Sequence, residues 1–238
     1  MKVEKQPAFV LRSQSYKETS LLVDIFSRDH GRQKLIVRGA KSAKSGKAAQ
    51  MQPFAELSLG WQGRSDLKNL TEMDSAPGLL ANPANLVYGM YLNELLFYLL
   101  READPHDALY DLYRSTLIRL QSGELIEPVL RNFEFGLLAE MGYAIELNVD
   151  LDGVPINPEA QYSYLPDAGF RREYSQIGGL IPGSAVEDLA ENGLQGRAAL
   201  KVAKILCRSH LDFLLAGREL KSRRWLLAET VAGDQNSP

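Results

Sequence analysis

Between Ala8 and Thr71 apolar and polar positions alternate with a period close to two, and beyond residue 77 the period lengthens to that of a helix. The first region predicts five short strands, Ala8–Ser13, Thr19–Ser27, Gln33–Arg38, Phe54–Trp61 and Leu67–Thr71. Val10, Leu21, Val23, Ile25, Leu35, Val37, Leu57, Leu59 and Trp61 supply the inward positions, and Asp29-His30-Gly31 and Gln62-Gly63-Arg64 supply hairpin turns. Five short strands in one small unit suit a closed barrel better than an open sheet with two bare edges. Between strands three and four, Gly39 to Lys47 is small, cationic and without a hydrophobic anchor, which predicts a mobile basic loop.

After Pro77-Gly78 the pattern is helical. Leu86 to Leu100 is apolar on almost every side and predicts a helix covered by neighbours. Helices follow at Ala108–Leu120 and Pro128–Met141, the second with Val129, Phe133, Leu137 and Met141 at i+4 steps, Pro128 in its first turn and Gly142 as its stop. Residues 144–182 lack a long periodicity and read as an irregular or short-stranded insertion. Ser184 and Glu187 form a capping-box signature for a helix ending near Gly193. Arg197 to Ala216 is the last long helix, with Leu200, Ala203, Cys207, Leu211 and Leu214 on its buried stripe, and 233–238 reads as a frayed tail. The expected organisation is α+β: a barrel over residues 1–77, then a mostly helical domain over 78–238 carrying the insertion.

Composition changes the picture only through its distribution. The formal charge of −3 conceals a first block, 1–76, with 13 basic and 8 acidic residues, a middle block, 77–196, with 6 basic and 18 acidic, and 197–224 with 8 basic and 2 acidic. Charge sorted in this way predicts at least one anion-seeking area. In the third strand every second residue shares a face, so Arg32, Lys34 and Arg38 point one way while Gln33, Leu35 and Val37 point the other. Like charges so placed repel and add nothing to folding, whereas a polyanion crossing them releases counterions. Lys41, Lys44 and Lys47 extend the same end, giving a candidate phosphate surface. Arg197, Lys201, Lys204 and Arg208, spaced 4, 3 and 4, form a second cationic ridge, which acidic partners from the middle block could equally neutralise. Lys221, Arg223 and Arg224 are a third group, able also to complement the dipole of a helix C-terminus. Arg131, beside Leu130 and four before Phe135, could hold the carboxylate of a hydrophobic peptide tail, or pair with Glu127 at i−4.

Catalysis is not indicated. Gly39, Gly46 and Lys47 miss the phosphate-loop spacing and Ala48 stands where a magnesium-binding hydroxyl belongs; Gly178 to Gly183 is no dinucleotide fingerprint. His30, His106 and His210 are isolated and suit turn, loop and helix-surface roles; Cys207 reads as a small buried thiol. With one cysteine there is no internal disulfide and no multi-thiolate zinc site, and no cofactor is expected. The absence of a signal-peptide stretch or an apolar run of membrane length predicts a cytoplasmic protein. Trp61 reads as barrel core; Tyr16 and Phe54 are looser candidates for stacking on bases.

The stretches Ala8 to Ser27, Gly31 to Lys41, Tyr91 to Leu96, Leu130 to Tyr143 and Leu220 to Arg224, in this order, closely resemble the RecO family of bacterial DNA repair proteins, and the resemblance covers essentially the whole chain. It implies an oligonucleotide-binding (OB-fold) barrel followed by a helical domain, and a recombination mediator without enzymatic turnover. It further implies binding of single- and double-stranded DNA, annealing of complementary strands, association with RecR, contact with the acidic, hydrophobic tail of single-stranded DNA-binding protein, and loading of RecA. Arg131 stands in the helix segment that resembles the one used for the tail. Some family members carry a four-cysteine zinc module where this chain has 144–176 without cysteine, so zinc is not expected. A non-enzymatic adaptor, with the cations serving acidic protein tails and DNA secondary, is the alternative.

Overall fold

Every strand expected from the two-residue period is present in the computed structural model, which describes residues 2–42, 44–174 and 178–226. β1 (Lys2–Tyr16), β2 (Ser20–Ser27), β3 (Gly31–Val37), β4 (Glu56–Gln62) and β5 (Leu67–Asp74) close into a barrel in the order β1-β2-β3-β5-β4. All pairings are antiparallel except β3 with β5. β1 is longer than expected at both ends because it serves two partners, β4 through its first half and β2 through its second. Its register with β2 slips between Val10 and Arg12, a bulge that lets one strand turn the barrel's corner.

The interior holds Val10, Leu21, Val23, Ile25, Leu35, Val37, Leu57, Leu59 and Trp61, the residues expected there, all buried. The loop 39–47 differs from expectation. It has an anchor, since Ala40 is buried in the barrel core, the Lys41 N–H donates to the Thr19 carbonyl at 2.9 Å, and the Ser45 hydroxyl donates to the Ala40 carbonyl. A single turn of helix, α1 (Lys47–Gln50), follows it and packs the buried Met51 against the same core.

Two compact units divide the chain: residues 1–124 with 220–238, and residues 125–219. In the first, α2 (Leu86–Leu99) and α3 (Asp107–Ser122) complete the barrel. Phe9 and Phe26, which alternate with the inward Ala8, Val10 and Ile25, face outward and stack on Tyr110 and Tyr113 of α3 with ring centroids 5.0 to 5.5 Å apart. Asn93, the one polar residue on the buried side of α2, donates to the Val10 and Leu11 carbonyls at the bulge and accepts from the Tyr113 hydroxyl. Residues 221–226 are helical, and Glu94 of α2 caps them by accepting from the Lys221 and Ser222 N–H groups and the Ser222 hydroxyl. Lys221, Arg223 and Arg224 therefore stand at the start of a helix and not at the C-terminal end considered for them.

In the second unit α4 (Ile126–Glu140), α5 (Gly183–Asn192) and α6 (Arg197–Leu215) surround a three-stranded sheet, β7-β6-β8, made of β6 (Gln161–Leu165), β7 (Gly169–Glu173) and β8 (Ile181–Pro182). The insertion thus has strands of its own, with Tyr162, Phe170 and Ile181 packed on Val202 and Leu206 of α6. Two local expectations are corrected. Ser184 lies inside α5, whose N-cap is Pro182 with no side-chain cap, so the capping box does not form. His210 is buried, not on the helix surface; its Nδ1 pairs with the Tyr164 hydroxyl at 3.1 Å, and burial holds its pKa below the ordinary value. Cys207 is the buried thiol expected, its pKa raised by burial. The tail expected to fray, 233–238, lies outside the described residues.

Gly31 shows how tightly the barrel is seated in its own unit. It opens β3 with φ +62°, and a Cβ there would lie 2.0 Å from the Asp104 carbonyl oxygen. Gly31→Ala is expected to destabilise the protein by about 2–4 kcal/mol through left-handed strain and displacement of the 102–104 segment. Urea denaturation of the purified variant measures this.

Candidate nucleic-acid interface

Alternation on β3 is as expected: Gln33, Leu35 and Val37 are buried while Arg32, Lys34 and Ile36 are half-buried on the outer face. The freedom of the cations on that face is not as expected. Arg32 pairs along the backbone with Glu102 as a parallel bridge, and the Ala103 N–H donates to the Arg32 carbonyl. This brings the Arg32 guanidinium within 3.3 Å of both the Asp24 and Glu102 carboxylates, while its Nε donates to the Leu100 carbonyl at 3.2 Å. Its Cζ also sits 5.4 Å from the Phe97 ring centroid, with Arg12 at 5.1 Å from the same ring. Lys34 Nζ is 3.2 Å from Glu102. Arg32 is therefore a structural residue, and Lys34 is shared with an acid of its own unit; the expectation of three unopposed cations on this face is corrected to one, Arg38, whose Nε donates to Asn69 Oδ1 at 3.1 Å.

Burial pushes the Asp24 carboxyl above its ordinary value, against the pull of Lys34, Arg32 and Arg12. A carboxyl raised on folding contributes stability below its unfolded pKa and loses that contribution as pH rises through the folded value.

Beyond the strand, Lys41, Lys44 and Lys47 are exposed with no carboxylate within ion-pair distance among the described residues. Lys17 joins them, because the Lys41–Thr19 hydrogen bond ties the β1–β2 turn to this loop. Sequence reasoning passed over Lys17; the signal available was its place in the turn between two strands of one barrel. The same end therefore gathers Lys17, Arg38, Lys41, Lys44 and Lys47, with Glu18 the acid among them.

The second ridge, on α6, is half neutralised. Lys204 Nζ lies 3.4 Å from Glu127 and Arg208 Nε lies 3.8 Å from Asp212, whereas Arg197 and Lys201 are exposed without an ion pair among the described residues. In the third group Arg223 and Arg224 make interactions of their own, and Lys221 lines a half-open groove of about 180 Å³ with Arg12, Phe97, Tyr98 and Trp225.

Arg131 departs furthest from expectation. It is 7% exposed and its Nη2 lies 2.7 Å from Glu134, itself 1% exposed, so the partner is the acid at i+3 and not Glu127. Glu134 engages only Nη2, and the buried Arg131 Nε has no hydrogen-bond partner among the described residues, so a peptide carboxylate reaches this guanidinium only if its surroundings open. Leu130 is buried too, and Phe135 packs on the core of this unit. Trp61 and Phe54 are buried and unavailable for stacking.

Among the described residues no three His, Cys, Asp or Glu side chains gather as a metal-ligand set, and no helix is long and apolar enough to cross a membrane.

Two variants test these ion pairs. Arg32→Gln removes the guanidinium 3.3 Å from the buried Asp24, which keeps only Lys34 and Arg12 nearby, and is expected to cost about 1–3 kcal/mol at pH 7 and less in acid, where a carboxyl raised by burial takes up its proton; denaturation of variant and parent at neutral and acid pH gives the difference. Arg131→Ala strands Glu134 and is expected to cost about 3–5 kcal/mol, while the double change Arg131→Met with Glu134→Leu restores parental stability or exceeds it in the same measurement.

Comparison with known proteins agrees with this architecture. Residues 1–77 match the family model for the N terminal of recombination protein O and residues 80–224 the model for its C terminal. A DNA repair protein RecO of Laribacter hongkongensis is 42% identical over 99% of this chain and 98% of its own length. A protein of the same name from Pseudomonas aeruginosa PAO1 is 43% identical over 92% of each chain, and one from Ralstonia nicotianae is 38% identical over 95% of this chain and 85% of its own.

Proposed function

We propose, for a chain that belongs to the recombination protein O (RecO) family, that the Lys41 to Lys47 end of its barrel is where it neutralises nucleic-acid phosphates. Membership makes the chain a DNA repair and recombination protein, a mediator and not an enzyme. The observation that carries the proposed site is the sorting of its cations. Arg28, Arg32 and Lys34 are held by Asp111, Asp24 and Glu102, while Lys17, Lys41, Lys44 and Lys47 have no such acid among the described residues. Cations left unpaired within one turn and one loop repel one another in the free protein, and a polyanion relieves that repulsion while releasing its own counterions.

The mediator reading extends to binding both single- and double-stranded DNA, since phosphate contacts of this kind do not read sequence. It extends also to annealing. Two complementary strands repel until their charge is screened, and a protein with one cationic area in each compact unit, the barrel loop in the first and Arg197 with Lys201 in the second, can engage more than one strand. Association with RecR, contact with the tail of single-stranded DNA-binding protein and delivery of RecA are carried over from the family likeness. In this reading Arg131 stays the candidate for the tail, reached at its unpaired Nε by local opening.

The triple change Lys41→Ala, Lys44→Ala and Lys47→Ala tests the site. Removing three phosphate contacts is expected to flatten the plot of log affinity against log salt by about two units for a single strand and nearly three for a duplex, and to weaken binding at low salt about tenfold or more. Fluorescence anisotropy across a salt series reads both. Unchanged slopes reject the loop, and an unchanged DNA affinity together with lost binding of an acidic tail peptide favours the adaptor reading instead.

A further inference from the structure

On the outer face of the barrel, the residues that alternate with the core form three rows across β1, β2 and β3. Leu21, Val23 and Ile25 fill the interior, so Ser20, Leu22 and Asp24 point outward. Directly opposite them on β1 stand Tyr16, Gln14 and Arg12, and opposite Asp24 and Leu22 on β3 stand Lys34 and Ile36, with Arg38 two residues further on. The row of Arg12, Asp24 and Lys34 is closed off by Glu102, Arg32 and the Phe97 ring. The row of Gln14, Leu22 and Ile36 carries two half-buried aliphatic side chains with no charge between them. The row of Tyr16, Ser20 and Arg38 lies at the rim. There the Lys17 ammonium stands 5.4 Å from the Tyr16 ring centroid, and the Tyr16 hydroxyl has no hydrogen-bond partner among the described residues.

An aromatic ring and two aliphatic side chains framed by Lys17, Arg38, Lys41 and Lys44 do not suit a phosphate backbone alone. Phosphates satisfy the frame and leave the apolar strip wet. The ligand that satisfies both has anionic groups on one edge and flat, weakly polar faces on the other. Successive outward rows are about 6.8 Å apart along a strand, twice the 3.4 Å between bases stacked in one strand of a duplex, so a nucleic acid following these rows has its bases drawn apart. A duplex keeps its base faces covered by each other. A single strand does not.

We propose that Tyr16, with Leu22 and Ile36, is a base-stacking platform through which the barrel distinguishes single-stranded from double-stranded DNA, the phosphates lying on Arg38, Lys41 and Lys44. The proposal rests on the reading of the basic loop as the phosphate site and deepens it. Lys17 lies over the ring in the free protein as a cation–π partner and moves to a phosphate when a base takes its place. The division of labour follows: the lysines set the salt dependence, and Tyr16 sets the preference for bases that are free to stack.

The test uses the full chain and three probes of equal length: a single-stranded oligothymidylate, the same sugar–phosphate strand without bases, and a duplex. Tyr16→Ala is expected to lower affinity for the oligothymidylate about five- to tenfold, to leave the baseless strand and the duplex within twofold of the parent, and to leave all three salt slopes unchanged. Tyr16→Phe is expected to retain parental binding. Equal loss on all three probes, or no loss on the oligothymidylate, overturns the proposal. Tyr16→Trp gives a direct reading should the alanine variant fold poorly: its added emission is quenched by the oligothymidylate and not by the baseless strand, and equal quenching by both overturns the proposal. Failure of the phosphate reading is a different result, in which the triple lysine variant binds every probe as the parent does.

Discussion

Alternation on a closed barrel sends every second side chain of β1, β2 and β3 outward, and within the first compact unit α2, α3 and the segment between them cover only part of that outer face. Where the face is covered, outward residues must be apolar or paired. Phe9 and Phe26 meet Tyr110 and Tyr113, Arg28 meets Asp111, Arg114 meets Glu56, and Arg32 and Lys34 meet Glu102. Where the cover stops, the side chains of the barrel's rim and of the loop after β3 keep their charge in water. The surface available to a polyanion is what remains of a cationic barrel after its own helices have drawn on it.

The same constraint explains the polar residues placed on otherwise apolar helices. A bulge interrupts the β1–β2 ladder between Val10 and Arg12, and a buried carbonyl without a donor is destabilising by an amount comparable to a lost hydrogen bond. Asn93 supplies the donors and is itself held by Tyr113. One residue on, Glu94 caps the helix at 221–226 and so ties the end of the described chain to the first unit. In the second unit Arg131 and Glu134 form a buried pair of the kind that adds little stability as a pair yet cannot lose one member cheaply. A charge on a helix is thus not by itself evidence of a binding site.

Much of this was legible in the sequence. The two-residue period placed all five barrel strands and their inward residues, because burial on one face and closure of the sheet are both expressed in local pattern. The helices followed from the longer period to within two residues at most ends. What local pattern could not carry was pairing between distant residues. Arg32 looked like Lys41, both cations of β3 and the loop after it, and only Asp24 across the strand pair and Glu102, seventy residues along the chain, separate them. Arg131 looked exposed because its partner at i+3 was passed over for the acid at i−4, and Glu127 is used by Lys204. His210 looked like a surface residue because the Tyr164 hydroxyl that receives it lies in an insertion without clear periodicity. The capping box at Ser184 failed for the opposite reason: the motif is present, but Pro182 already sets the start of the helix.

Net charge misleads for a protein of this kind, and the structure shows why. The acidic middle block does not oppose the basic ends uniformly. Some of its carboxylates, Glu102 and Asp111 in the first unit and Glu127 in the second, are spent on particular cations, and the rest lie elsewhere in the chain. With a Debye length near 8 Å at physiological ionic strength, an acid beyond that distance does little to a phosphate already seated on Lys41 or Lys44. A chain of formal charge −3 can therefore present a locally cationic surface. The near-neutral total limits the long-range attraction that would hold a strongly basic protein on any polyanion, so in the proposed function binding depends on contact at the cationic patch. Contact that is strong locally and weak at a distance suits a recombination mediator.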